Sequence, residues 1–250
     1  MQRFGAKYGF LLGLVLVFGL TLADATGTVA ASGRWLKLHR GPDIVVVLIF
    51  FFSGLGLSGG AFREGLKDIA GVAMALFTIF ATAPLLAAAL SLLPLDKGIV
   101  IGLFLVAVMP TTLSSGVVMT TMAGGNMAHA LLITITANCL AIFTIPVTLS
   151  WLLGLVGDVG PVIIDKGGMM QRIACLVVVP LLTGLAVKTG VPGPVQRRAA
   201  KIPVVNQGLV LTIVWMAVSQ ARSVILKSGE TLAVGFLAVI VLHGVLLAAG

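Results

Sequence analysis

Residues 109–126 read MPTTLSSGVVMTTMAGGN. Pro110 has no backbone donor and its ring collides with the preceding turn, so a helix that reaches it kinks or stops. Gly116 adds further backbone freedom a little downstream. Thr111, Thr112, Ser114 and Ser115 crowd hydroxyls around the break. Long hydrophobic runs flank the stretch on both sides. Hydrocarbon offers nothing to replace a lost backbone hydrogen bond, so broken backbone at membrane depth is tolerated only where protein buries it or a watery cavity borders it. Residues 99–122 are therefore expected to form a broken helix, with Pro110 and Gly116 at the break. Secondary transporters hold ions and substrates at such places.

Working outward, composition sets the class. The chain has 250 residues, 59% hydrophobic and 10% charged, with a mean hydropathy of +1.17. Soluble domains carry about 25% charged residues. Apolar runs of about 18 residues or more, long enough to cross a bilayer core, recur along the chain. This is an all-α polytopic membrane protein. Eight candidate spans are expected, at 8–25, 44–60, 69–93, 99–122, 127–155, 169–187, 204–221 and 232–249. Polar connectors separate them, among them Arg34 to Asp43, Arg63 to Asp68, Asp158 to Arg172, Lys188 to Lys201 and Arg222 to Glu230.

The formal net charge is +8, yet the basic residues sit in short segments between apolar runs. No basic stripe with interleaved aromatics appears, which argues against nucleic acid and for the headgroups of a lipid bilayer. Cys139 and Cys175 lie inside apolar runs without a C-x-x-C pair and read as packing residues. Arg3 and Lys7, the run Phe10 to Leu22, and Ala23-Asp24-Ala25 mimic a signal peptide; with further spans following, a retained first helix is expected. An N-terminus inside would put eight Lys and Arg on each side of the membrane. Orientation is thus undecided by charge, and only the dense 188–201 loop favours N-in.

The hydroxyls and freed carbonyls at the break are hard oxygen ligands of the kind a small cation such as sodium takes. The positive end of a resumed helix would favour an anion. The competing reading is that Ser and Thr bond back to the preceding turn and join helices. Gly124-Gly125-Asn126 reads either as a turn capped by Asn126 or as part of the ion site. Thr134 and Asn138 are one turn apart and share a helix face. An asparagine at lipid depth faces a partner helix or a cavity.

Other motifs carry less. Gly54-Leu55-Gly56-Leu57-Ser58-Gly59 matches a dinucleotide fingerprint, but no βαβ unit or following acid accompanies it, so helix packing is expected instead. His39, His129 and His243 show no metal spacing. Asp24 reads as interfacial, and Gln220 as a polar residue near the end of its span. No nucleophile elbow, zinc-protease helix, P-loop or paired intramembrane carboxylate is present, and the chain is not expected to be an enzyme or to need a cofactor.

Three blocks carry a resemblance: Phe50 to Leu57 (FFFSGLGL), Met109 to Gly116 (MPTTLSSG) running on to Ala123-Gly124-Gly125-Asn126, and Val177 to Gly184 (VVVPLLTG). Together they resemble the bile acid:sodium symporter family, solute carrier family ten, and most nearly the sodium-dependent transporters related to its seventh human member. The resemblance covers essentially the whole chain. It implies a ten-helix fold of two inverted five-helix repeats, in which a core with two broken, crossing helices moves against a panel. Within one transporter domain, 1–250, spans 8–25, 44–60, 169–187 and 204–221 would be panel-like. Spans 69–93, 99–122, 127–155 and 232–249 would be core-like. Ser114 and Ser115 match the family's sodium ligands at the break, and Thr134 matches the following helix. Asn126 belongs to the shared Gly-Asn turn.

Two departures stand out. This chain has Ser-Ser-Gly where the bile-acid branch has a Ser-Asn pair, and Thr78 stands near a position that is often Gln. The expected ninth and tenth spans, including the second crossing helix, lie beyond Gly250, so the chain reads as truncated after the eighth span.

The leading expectation is sodium-coupled symport of an organic anion or similar small solute by alternating access. Ser114, Ser115, Asn126 and Thr134 would serve sodium, with Thr111, Thr112 and Asn138 near the substrate. Localisation would be the plasma or bacterial inner membrane. A non-transporting membrane regulator, or an incomplete relative of the family, is the second reading. A membrane enzyme is the third.

Overall fold

The computed structural model describes residues 2–56, 68–111, 116, 120, 123–156, 165–190, 201–227 and 229–249. The helices in chain order are α1 (Gln2–Ala23), α2 (Thr28–Leu38), α3 (Gly41–Gly56), α4 (Ile69–Leu90), α5 (Lys97–Ala107), α6 (Met127–Gly154), α7 (Lys166–Gly190), α8 (Ile202–Lys227) and α9 (Gly229–Ala249). Among the described residues there is no strand. Among the described residues four helices, α4, α6, α7 and α8, are long and apolar enough to cross a membrane. Counted as one span, the bent pair α1–α2 would be a fifth, while α3, α5 and Leu232–Ala248 of α9 are shorter apolar helices.

Two elements depart from the straight spans expected. Residues Thr78–Thr82 of α4 and Ala174–Val178 of α7 are wound as π-helix. In the first, the Ala83 N–H reaches back to the Thr78 carbonyl. Each segment stops two residues before a proline, Pro84 or Pro180. A proline inside a helix cannot donate to the carbonyl four residues back and collides with it. One wide turn just upstream makes room for the ring, as π-bulges do within α-helices.

Residues 1–56 and 179–229 form one compact unit. There α3 crosses the second half of α7 with the two backbones in contact. A Cβ on Gly54 would strike the Leu181 carbonyl, and one on Gly184 would strike the Phe51 carbonyl. Lipid supplies no hydrophobic drive between helices, so small residues that admit close approach take its place. Gly54 therefore serves packing, while Leu57, Ser58 and Gly59 of the same motif lie outside the described residues. Nearby, Asn206 of α8 is 2% exposed and its Nδ2 donates to Ser53 Oγ of α3 at 3.0 Å.

The same unit holds a tight corner. Arg222, expected in a connector, lies inside α8 and donates from Nε to the Thr21 carbonyl (3.0 Å) and from Nη2 to the Asp24 carbonyl (2.7 Å). The last carbonyls of a helix have no partner within it, and a planar guanidinium with several donors suits them. Asp24 then accepts from Thr26 Oγ1 (2.6 Å) and the Val29 N–H (2.8 Å), which starts α2. Gly27, at φ 72°, supplies the left-handed residue the turn needs. As a result α2 leaves α1 at 109°.

Residues 57–178 and 230–250 form the second unit. Its core gathers Ala87 of α4, Leu103, Phe104 and Ala107 of α5, Ala141, Ile145, Leu149 and Leu152 of α6, and Leu242 of α9. Asp68 and Asp96 cap α4 and α5, accepting from the Gly71 N–H (2.9 Å) and the Gly98 N–H (2.8 Å). Such caps satisfy donors that the first turn leaves free.

Candidate functional site

The break lies where Pro110 puts it. Helix α5 has 11 residues, about 16 Å, roughly half of a ~30 Å hydrocarbon core. Val108 closes it by donating to the Phe104 carbonyl (3.1 Å), Met109 makes a last short turn to Val106 (3.3 Å), and Pro110 and Thr111 are non-helical. A residue before proline is driven out of the helical region, so Met109 is where the helix must yield. Helix resumes by Gly116, whose carbonyl accepts from Thr120 Oγ1 at 2.9 Å. A helix end lies at Gly124, with φ 81°, where the Gly125 N–H donates to the Thr120 carbonyl at 2.8 Å. A left-handed glycine with that bond five residues back is a Schellman helix end.

Helix α6 holds the broken strand of chain from the side. Asn138 is 6% exposed, and its Nδ2 donates both to the Thr111 carbonyl (2.9 Å) and to the Thr134 carbonyl (2.8 Å). The Thr111 carbonyl, beside the proline, thus accepts from a side chain of the next helix. Thr111 Oγ1 donates to Thr134 Oγ1 at 3.2 Å, and Thr134 Oγ1 donates back to the Ala130 carbonyl at 2.7 Å. The back-bond expected of a membrane threonine is therefore present at Thr134. Because it uses the hydroxyl proton, the oxygen keeps its lone pairs toward Thr111, where a cation could share them.

The sequence-derived residues divide as follows. Thr111, Thr134 and Asn138 are brought together, beside Pro110. Thr112, Ser114 and Ser115 lie outside the described residues. Asn126 is the N-cap of α6: its Oδ1 accepts from the Ala128 N–H (2.9 Å) and the His129 N–H (3.2 Å). Of the two readings of that residue, capping has the geometry. Replacing Asn126 with alanine is expected to cost about 1 kcal/mol of stability, most of it retained by Asn126→Ser; thermal unfolding in detergent checks this.

Sequence reasoning missed one contact here. His129 Nδ1 lies 3.5 Å from Asp68 Oδ2, joining the first turn of α6 to the cap of α4. His129 Nε2 is buried with no hydrogen-bond partner among the described residues. The two residues are far apart in the chain, and neither sits in a motif that links them. Among the described residues no group of three or more His, Cys, Asp or Glu could hold a metal ion.

Several apolar helices of spanning length among the described residues support an integral membrane protein. The chain belongs to the SBF-like CPA transporter family, whose sequence model matches residues 9–250. It is 30% identical over 220 residues to an Arabidopsis thaliana protein named "Probable sodium/metabolite cotransporter BASS4, chloroplastic", covering 86% of this chain and 49% of that one. It is 29% identical to sodium/bile acid cotransporter 7-A of Xenopus laevis (84% of this chain, 60% of that one). The Rattus norvegicus sodium/bile acid cotransporter 7 is 28% identical, with 84% and 61% covered. The chain thus spans about half to three-fifths of the length of these relatives.

Proposed function

We propose that this chain carries out sodium-coupled symport of an organic anion or similar small solute by alternating access. The observation that carries the reading is the non-helical Pro110–Thr111 segment, tied to buried Thr134 and Asn138 of the next helix. The printed names of the relatives, sodium/metabolite and sodium/bile acid cotransporters, support sodium and a small solute as its partners. Sodium would be held by Ser114, Ser115 and Thr134. Asn126 would contribute through the turn it caps, since its side-chain oxygen already serves α6. Thr111, Thr112 and Asn138 would face the solute, whose negative charge suits the start of the resumed helix.

The finer architecture belongs to the same proposal: eight spans of a ten-helix inverted-repeat fold, divided into panel-like and core-like sets. The division into residues 1–56 with 179–229, and 57–178 with 230–250, supports that assignment. It follows the expected sets except at 57–60, the end of the second span, and within α7, which passes from one unit to the other beside its π segment. The plasma or bacterial inner membrane is the proposed location.

Sodium-dependent stability tests the ion assignment. At a concentration about 100 times its dissociation constant, sodium is expected to stabilise the purified chain by about 2.7 kcal/mol. Potassium should do nothing, and Ser114→Ala with Ser115→Ala should erase the sodium effect. Equal unfolding temperatures in both salts would refute the assignment.

A further inference from the structure

We propose that α2 is a membrane-surface helix that binds the headgroups of anionic phospholipids. Its direction comes first. At 109° to the helix before it, α2 runs within about 20° of the bilayer plane when α1 stands along the normal, and TM helices are tilted from it by about 20° on average. The Asp24 and Arg222 hydrogen bonds hold that corner from both sides.

The exposed surface of α2 comes second. Ala30 and Gly33 are buried, with Gly33 set against Ser219 and Trp215 of α8. A different face carries Ala31, Trp35 and Leu38 at helical spacing, with Trp35 60% and Leu38 83% exposed. Trp35 is braced by His39, their rings stacked with centroids 4.2 Å apart. A tryptophan with an apolar neighbour, on a short helix bearing basic residues, is the composition of an interfacial helix.

Charge names the occupant. Arg34, Lys37 and Arg40 fall within seven residues, and no carboxylate lies between Asp24 and Asp43. Arg34 donates to the Ser219 carbonyl at 3.4 Å, so it is partly engaged by α8. Lys37 and Arg40 are exposed at the C-terminal end of the helix, Arg40 just past its cap. Each basic residue near an anionic surface contributes about fivefold to binding, an attraction that salt weakens. Lys37 and Arg40 together should therefore favour anionic over zwitterionic lipid by about 25-fold at low salt.

Quenching of Trp35 by brominated lipids tests this on the whole chain in vesicles. The Trp35 signal is the difference between the wild-type chain and Trp35→Phe, which leaves Trp151 and Trp215 in place. Brominated phosphatidylglycerol should displace phosphatidylcholine around Trp35 with the preference given, and bromines near the headgroup should quench more than those near the chain ends. Lys37→Gln with Arg40→Gln should remove the preference, and the charge-preserving pair Lys37→Arg with Arg40→Lys should keep it. Equal quenching by both lipids in every variant would overturn the proposal. So would stronger quenching from the chain ends, the mark of a re-entrant helix. Protection of Trp35 from lipid bromines and aqueous iodide alike would mean that protein, such as a second copy, covers the face, and would overturn it too.

Discussion

Replacing Asn138 with leucine is expected to raise the sodium dissociation constant, read from sodium-dependent thermal stabilisation, by roughly 5- to 150-fold. The range corresponds to about 1–3 kcal/mol, the cost of leaving a buried polar group without its partner. Here that group is the Thr111 carbonyl, which accepts from Asn138 Nδ2 at 2.9 Å. Leucine fills similar space but offers no N–H, so Thr111 is freed from Thr134 and the oxygens disperse. Thr134→Val should weaken sodium as well, because it removes the oxygen that faces Thr111. Thr134→Ser keeps that oxygen and should stay close to the wild-type chain. An Asn138→Leu chain that binds sodium normally would show that the amide only joins helices.

The second large effect concerns the α3–α7 crossing. Gly184→Leu is expected to prevent accumulation of folded protein. Gly184→Ala should cost about 1–3 kcal/mol, the usual penalty of overpacking. The added carbon meets the Phe51 carbonyl, which is backbone and cannot swing aside as a flexible side chain would. Gly54→Ala should behave alike, since it meets the Leu181 carbonyl on the other side of the same contact. Gly208→Ala is the control. No described atom lies within 4 Å of its added carbon, so helix propensity should make it neutral or stabilising by up to about 1 kcal/mol. Thermal unfolding of the three alanine variants, with expression of Gly184→Leu, separates close packing from a general dislike of side chains in these helices.

The parts legible from sequence were those written locally. Pro110 announces its break because one residue both removes a donor and clashes. Thr134 and Asn138 announce a shared face because helical spacing is arithmetic. The apolar runs set out the helices, though not how many of them cross a membrane, since α3 and α5 are short on their own.

What escaped depends on distant partners or on shape. Helix α2 was hidden inside a stretch that hydropathy divides between a span and a polar connector, because its two faces average out. Arg222 looked like loop charge, and only the approach of α1 turns it into a cap 201 residues from Thr21. Asn206 gave no signal at all, since its partner Ser53 is 153 residues away. The π turns before Pro84 and Pro180 were readable in principle, but a test of span length cannot see them. At the site, Asn126 shows how residue type alone underdetermines a role: the same oxygen suits an ion or a helix cap, and here it accepts from the Ala128 and His129 N–H groups.

Water access beside the break tests the central claim most directly. Gly116 lies in the resumed helix, with no described atom within 4 Å of the position its Cβ would take. In a chain with Cys139→Ser and Cys175→Ser, a Gly116→Cys thiol should react with a membrane-impermeant, charged thiol reagent, and sodium should slow that reaction where potassium does not. A thiol that reacts only with lipid-soluble reagents, at one rate in either salt, would contradict a hydrated sodium site at the break.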